Sequence, residues 1–395
     1  MVRLYAMKLS VLGLALFVLG TSAPIAAAAS WQTPYQLIDN RIVVPVAIDG
    51  VSGFSMILDT GASGMSITPQ AARRLHLSLE KAGSTGGAGA GRLPVWNTRL
   101  KRVGLAGVAF GTLPSVVLDL GFIQRAIGFA KLDGIVGYDV LRRYAVEINA
   151  DRKVLTLLSG RYRIPANGRI VGYAVRSNFI TLPARINSAR GDVILDTGDR
   201  SSLTVFAPFA HHYGFYSVVP SIRNAVTGYG IGGTIRSNVF RTRLSVFGYT
   251  VNGVLTRAPV GAAGVFDSAG PAGTVGNGFL LRFNIIYDLP RERLVLWPNT
   301  RFSAYERYDP AGMWIGVGAY GPLVTSVLAG GPADKAGVRA GDTILSVDRI
   351  STRTWLPPQL RTWLKDRPAG TAVTMLLQSR TGVRVSRMVR VHELI

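Results

Sequence analysis

Cysteine is absent from all 395 residues, which removes disulfide frameworks, thiolate nucleophiles, Cys-based zinc sites and lipid attachment through sulfur. Histidine is scarce. His76, His211, His212 and His392 stand at no metal-ligand spacing, and neither a zinc-protease motif nor a Gly-x-Ser-x-Gly elbow occurs. No metal and no cofactor are therefore expected. Acidic residues are also few, 22 against 44 Lys and Arg, leaving a net charge of +22. Charged residues make up only 17% of the chain while 48% is hydrophobic, a balance that argues for packed globular units and against disorder. The positive excess would suit an anionic partner. Its carriers are mostly Arg, scattered with no run of five or six and no aromatic-interleaved patch. A basic, solvated surface is expected, and nucleic acid is not an expected partner.

Long apolar runs are lacking beyond the N-terminus. Arg3 and Lys8 precede a short apolar core at residues 11–19, and Ala26-Ala27-Ala28-Ala29-Ser30 offers small-residue cleavage sites. The core is too short to span a bilayer comfortably. Residues 1–29 thus read as a signal peptide, with the remainder periplasmic or secreted and without stable membrane insertion after cleavage. A chain of this length holds two or three domains. Its 46 glycines and many Val, Ile and Thr lean toward β structure.

One stretch occurs twice. Ile57-Leu58-Asp59-Thr60-Gly61 and Ile194-Leu195-Asp196-Thr197-Gly198 each read as a short buried strand carrying an Asp into a tight turn. A buried carboxylate is costly unless it is paired, and two in matching contexts suggest that they serve each other. The surroundings repeat as well. A Gly-rich segment follows each Asp, at residues 83–91 and 228–233. Then Gly134-Ile135-Val136-Gly137 is echoed by Gly273-Thr274-Val275-Gly276. The Asp residues lie 137 positions apart (59 to 196) and the Val-Gly pairs 139 apart (137 to 276), the signature of an internal duplication. Each unit is expected to end in its own hairpin, at residues 145–158 and 284–296. Residues 68–77 are the one convincing helix of the first unit, with Ala71, Ala72 and Leu75 as its buried side. Gly228, Gly230 and Gly233 also match a dinucleotide-binding spacing, but no βαβ unit and no acidic residue about twenty positions on support it.

This doubled layout resembles the aspartic proteases of the pepsin and retropepsin type over residues 35–300. The resemblance implies a mainly β fold of two duplicated retropepsin-like β-barrel lobes, residues 30–163 and 164–300. It also implies a polypeptide substrate and catalytic residues Asp59 and Asp196, one per lobe. Thr60, Gly61, Thr197 and Gly198 would support the dyad from below. Gly86, Gly87, Tyr229 and Gly230 are flap candidates, with Tyr229 as a flap tyrosine; an exposed loop aromatic is the plainer alternative. Two departures stand out. Ala62 replaces the hydroxyl residue of the pepsins, which should leave the dyad more basic. Asp199-Arg200 follows Gly198, and a pairing between those two would keep a third carboxylate from disturbing Asp196.

After Trp297-Pro298 the composition changes. Trp314-Ile315-Gly316-Val317, then Leu323-Val324-Thr325-Ser326-Val327, then Gly331-Pro332-Ala333-Asp334-Lys335-Ala336-Gly337 and Gly341-Asp342-Thr343-Ile344-Leu345 resemble a bacterial-type PDZ domain over residues 308–395. By that resemblance it is an α+β domain with a helix at 359–365 and a strand at 372–378. Trp314, Ile315, Gly316 and Val317 would form the loop whose backbone N–H groups hold a peptide C-terminus. The leading reading is an exported aspartic endopeptidase with a peptide-binding PDZ domain. A non-catalytic scaffold acting through that PDZ domain is the alternative, as is retention on an anionic polymer.

Overall fold

The computed structural model describes residues 29–261 and 264–395; the signal peptide read from residues 1–29 lies outside these except for Ala29. The chain is mainly β. Strands dominate because β-branched residues alternate with small or polar ones in short runs ended by turns such as Asp49-Gly50 (φ 51° and 84°).

In the first lobe, Arg41–Ile48 pairs antiparallel with Val51–Leu58, the strand that ends at Asp59. Gly134–Val136 then inserts parallel to Val51–Leu58, setting Val136 opposite Leu58. The second lobe repeats this arrangement: Ala189–Asp196 pairs with Phe179–Ile186, and Gly273–Gly276 lies parallel to it with Val275 opposite Leu195. The drift of two positions in the sequence repeat is absorbed between these strands, so the two registers are equivalent. The mostly β, duplicated architecture is as the sequence resemblance implies.

The closing hairpins are shared between lobes. Ala145–Asn149 pairs with Phe283–Asp288, Ala145 facing Asp288. The two hairpins thereby merge into one six-stranded sheet, flanked by Ser30–Pro34 on one side and Arg169–Gly172 on the other. Two separate closing hairpins would each leave an open edge; fusing them pairs those edges and buries Ile148, Ile285, Tyr287, Leu155 and Leu294 in a core continuous across both lobes.

The helix read at 68–77 is shorter, Pro69–Arg74, capped by Thr68 Oγ1 accepting from Ala71 N at 3.2 Å. It stops because His76 turns into the left-handed region (φ 50°). A second helix of the first lobe, Gly121–Ile127, carries no comparable sequence signal: no side chain caps its start, and it ends at Gly128 (φ 93°).

The C-terminal domain is a sheet ordered Met313–Gly318, Gly321–Val327, Thr343–Val347, Ala372–Gln378, Arg384–Arg390. Helices Pro332–Lys335 and Pro357–Lys365 pack on it over a core of Ile315, Val324, Val338, Ile344, Leu360 and Val373. Residues 314–317 are not a loop. They belong to the strand Met313–Gly318, with a bulge between Trp314 and Ile315, and this strand is the edge of its sheet. No helix among the described residues is long and apolar enough to cross a membrane.

Candidate active site

The duplication brings Asp59 and Asp196 together. Each sits at the end of a strand whose preceding Leu is buried, so the chain direction alone drives the carboxylates inward. Gly61 N donates to Asp59 Oδ1 at 2.8 Å, and Gly198 N donates to Asp196 Oδ1 at 2.9 Å. Both glycines are required by close approach. A Cβ at Gly61 would lie 2.6 Å from Asp196 Cγ, and one at Gly198 would lie 2.4 Å from Asp59 Cγ. Each loop therefore passes against the opposite carboxylate.

Beneath the pair, Thr60 and Thr197 form a reciprocal lattice. Thr60 Oγ1 donates to Leu195 O at 2.8 Å and accepts from Thr197 N at 3.1 Å. Thr197 Oγ1 donates to Leu58 O at 2.9 Å and accepts from Thr60 N at 2.9 Å. Both hydroxyls donate and accept, and both are buried, which fixes the separation of the two loops.

Burial raises the proton affinity of Asp59. Asp196 is pushed well above the ordinary carboxylate range, first by burial, then by the charges of Asp59 and Asp199. Two like charges side by side in one partly buried site do not ionise together, so the pair holds one proton between them. The Gly61 and Ala62 backbone N–H groups and the hydrogen bond with Asp196 oppose that rise at Asp59.

The expected Asp199–Arg200 pair does not form. Asp199 accepts from Arg257 Nη2 at 3.0 Å, from Thr204 Oγ1 at 2.9 Å and from Thr274 Oγ1 at 3.0 Å, all buried. Burial alone would raise Asp199, but Arg257 and these donors bring it below its usual value, so it stays ionised. Arg200 turns instead to Asp39, 2.8 Å away, which also accepts from Arg41 at 2.8 Å and forms an ion pair with Arg361 at 3.1 Å. Neighbours in sequence thus find different partners, Asp199 beneath the second lobe's strands and Arg200 toward the first lobe. Asp39, Arg41 and Arg257 had no local signal, since their partners lie far away in sequence.

Above the dyad, two hairpins meet. The first joins Glu80–Thr85 to Leu93–Leu100 and the second joins Ile222–Gly230 to Gly233–Val246. Gly89 N donates to Ile231 O at 2.7 Å and Gly91 N to Gly232 O at 2.8 Å, so their tips are hydrogen-bonded over the cleft. Gly86, Gly87 and Gly230 line the cleft beside Ile57, Ile123 and Phe266. Tyr229 does not. Gly228 and Gly230 face inward, and the residue between them points to the other side of the strand, where it is buried against Trp314 and Phe122. It is thus neither a flap tyrosine over the dyad nor an exposed loop aromatic. The cavity below the hairpins continues outward past Asp49, Lys101 and Arg102 at the surface of the first lobe, about 1230 Å³ in all.

Residues 44–140 match the family model of aspartyl proteases, and residues 323–379 match that of a PDZ domain. The crystal structure of an aspartic proteinase from Irpex lacteus aligns with 16% identity and a TM-score of 0.43, covering 70% of this chain and 99% of that one. No curated protein matches the chain. The two family matches give an aspartyl-protease-type region followed by a PDZ domain.

Proposed function

We propose that the protein is an aspartic endopeptidase in which Asp59 and Asp196 activate a water against a peptide bond. The observation that carries this reading is the pair of half-buried carboxylates at the cleft floor, held by mirrored Thr and Gly contacts under two closed hairpins. Ionised Asp59 takes a proton from the water as it attacks the scissile carbonyl carbon, while the proton on Asp196 passes to the carbonyl oxygen. Collapse of the resulting tetrahedral diol breaks the C–N bond as a proton is returned to the leaving amine. No covalent intermediate forms. The geometry favours this over the scaffold reading, because a peptide-binding scaffold has no use for two like charges packed together at the floor of a cleft. Export fits the N-terminal signal and remains part of the proposal, with a periplasmic or secreted location.

The test is cleavage of a broad peptide library by residues 30–395 from pH 3 to 8, beside Asp59→Asn and Asp196→Asn. Each substitution should lower kcat by at least about 10²-fold, the minimum general acid–base contribution, while the far-ultraviolet spectrum stays unchanged. A folded wild type that cuts nothing would leave the scaffold reading in its place.

A further inference from the structure

Peptides bind PDZ domains by adding a strand to an exposed sheet edge. In this protein that edge is Met313–Gly318, with helix Pro357–Lys365 beside it. The edge is already covered. Helix Gly121–Ile127 of the first lobe packs along it, and a Cβ at Gly316 would lie 3.3 Å from Arg125 O and 3.5 Å from Ala126 O. Ala126 O accepts from Trp314 Nε1 at 2.9 Å. Ile127 O accepts from Arg361 Nη2 at 2.9 Å, and Arg361 Nη1 also reaches Ile315 O on the edge strand. Gly128 closes the contact, its would-be Cβ lying 2.8 Å from the Pro357 ring.

The chemistry of this contact is specific. The last carbonyls of a helix lack partners within it and carry a partial negative charge. Here they meet an indole N–H and a guanidinium, donors that would equally receive the carboxylate at the end of a peptide. The same indole holds the hairpin over the dyad. Ala126, Val226, Tyr229 and Trp314 form one buried cluster. The Tyr229 and Trp314 rings meet edge-on at 5.4 Å, and the Tyr229 hydroxyl lies 3.3 Å from Thr325 Oγ1 on the next PDZ strand. One residue further along the chain, Gly230 lines the cleft.

We propose that the PDZ groove is a latch on the cleft. Helix Gly121–Ile127 occupies it as a built-in ligand and, through Trp314, pins the second hairpin shut. A peptide with a free C-terminal carboxylate displaces the helix and releases the hairpin. The latch rests on the proteolytic reading only for its consequence, since the contacts exist whatever the cleft does.

The experiment is amide hydrogen exchange on the full chain carrying Asp59→Asn, so that no added peptide is cut. Trp314→Phe keeps a ring and removes the indole N–H. Loss of one such hydrogen bond should speed exchange roughly fivefold in residues 121–128 and 225–232 together. A pool of short peptides randomised at their last four positions should reproduce that joint response as free acids and not as amides. Loosening of 121–128 with no change in 225–232 overturns the coupling. Equal responses to acids and amides, or none to either pool, overturn displacement by a carboxylate. On the active chain, Trp314→Phe should raise kcat/KM. An intact joint exchange response with no cleavage by either chain would sink the protease reading and leave the latch standing.

Discussion

Asp199 shows how one residue can set the working pH of another. Its charge adds to burial and to Asp59 in holding the Asp196 proton, and it stays ionised because Arg257 and two threonines satisfy it. Asp199→Asn removes a charge that raises Asp196 and leaves the Arg257 cation unopposed, so Asp196 releases its proton more readily. The high-pH limb of the activity profile, where the shared proton is lost, should therefore move to lower pH. An unmoved limb would show that Asp199 is structural only. The converse change, Arg257→Met, strands a buried carboxylate and should cost about 3–5 kcal/mol of stability, measurable by urea denaturation. Local sequence showed that a third carboxylate was present. It gave the wrong cation, because the neighbour in the chain is not the neighbour in space.

Among the elements, the paired hairpins carry the clearest consequence. Gly89 and Gly232 approach so closely that a Cβ at Gly89 would lie 2.2 Å from Gly232 C. Gly89→Val should keep the tips apart and break both backbone hydrogen bonds between them. Exchange at the two donor amides, residues 89 and 91, should rise by more than about tenfold for two lost bonds, with KM raised and the melting temperature little changed, because little apolar surface is held there. Unchanged exchange would mean that the tips are held by something other than their mutual contact. The Gly-rich stretches 83–91 and 228–233 announced hairpins in the sequence. Their mutual hydrogen bonds and the outward turn of Tyr229 did not show, since strand alternation is fixed only once the register is known.

Across the whole molecule, Asp39 joins three parts: Arg41 of the first lobe, Arg200 of the second and Arg361 of the PDZ domain. Arg41 in turn donates through Nε to Gly198 O at 3.0 Å, so this junction touches the second Asp-Thr-Gly loop. Burial would raise the Asp39 carboxyl, but Arg200, Arg361 and Arg41 bring it well below the ordinary carboxylate range. A depressed carboxylate contributes stability that is full above its unfolded value of 3.8 and is lost as pH falls through the folded value. Wild-type stability should therefore decline in strong acid, and Asp39→Asn should flatten that part of the decline. At neutral pH the same variant should lose about 3–5 kcal/mol, because three cations converge on a site that has lost its charge. An equal acid slope in both chains, measured by denaturation at each pH, would remove Asp39 from this role.

Several features were determined by the chain alone: the duplicated lobes, the Asp-Thr-Gly loops, the Gly-rich hairpins and the PDZ pattern. Each rests on residues close together in sequence, where an apolar period, a turn glycine or a repeated spacing suffices. The helix Gly121–Ile127, the sheet shared by the two lobes, the Asp199–Arg257 and Asp39 networks and the covered PDZ edge were decided only by tertiary structure. These depend on which surfaces meet, and buried charges and free sheet edges take whatever partner the packing brings within reach. The sequence shows two carboxylates and a PDZ pattern; the folded chain shows that helix Gly121–Ile127 packs on the edge strand of that domain.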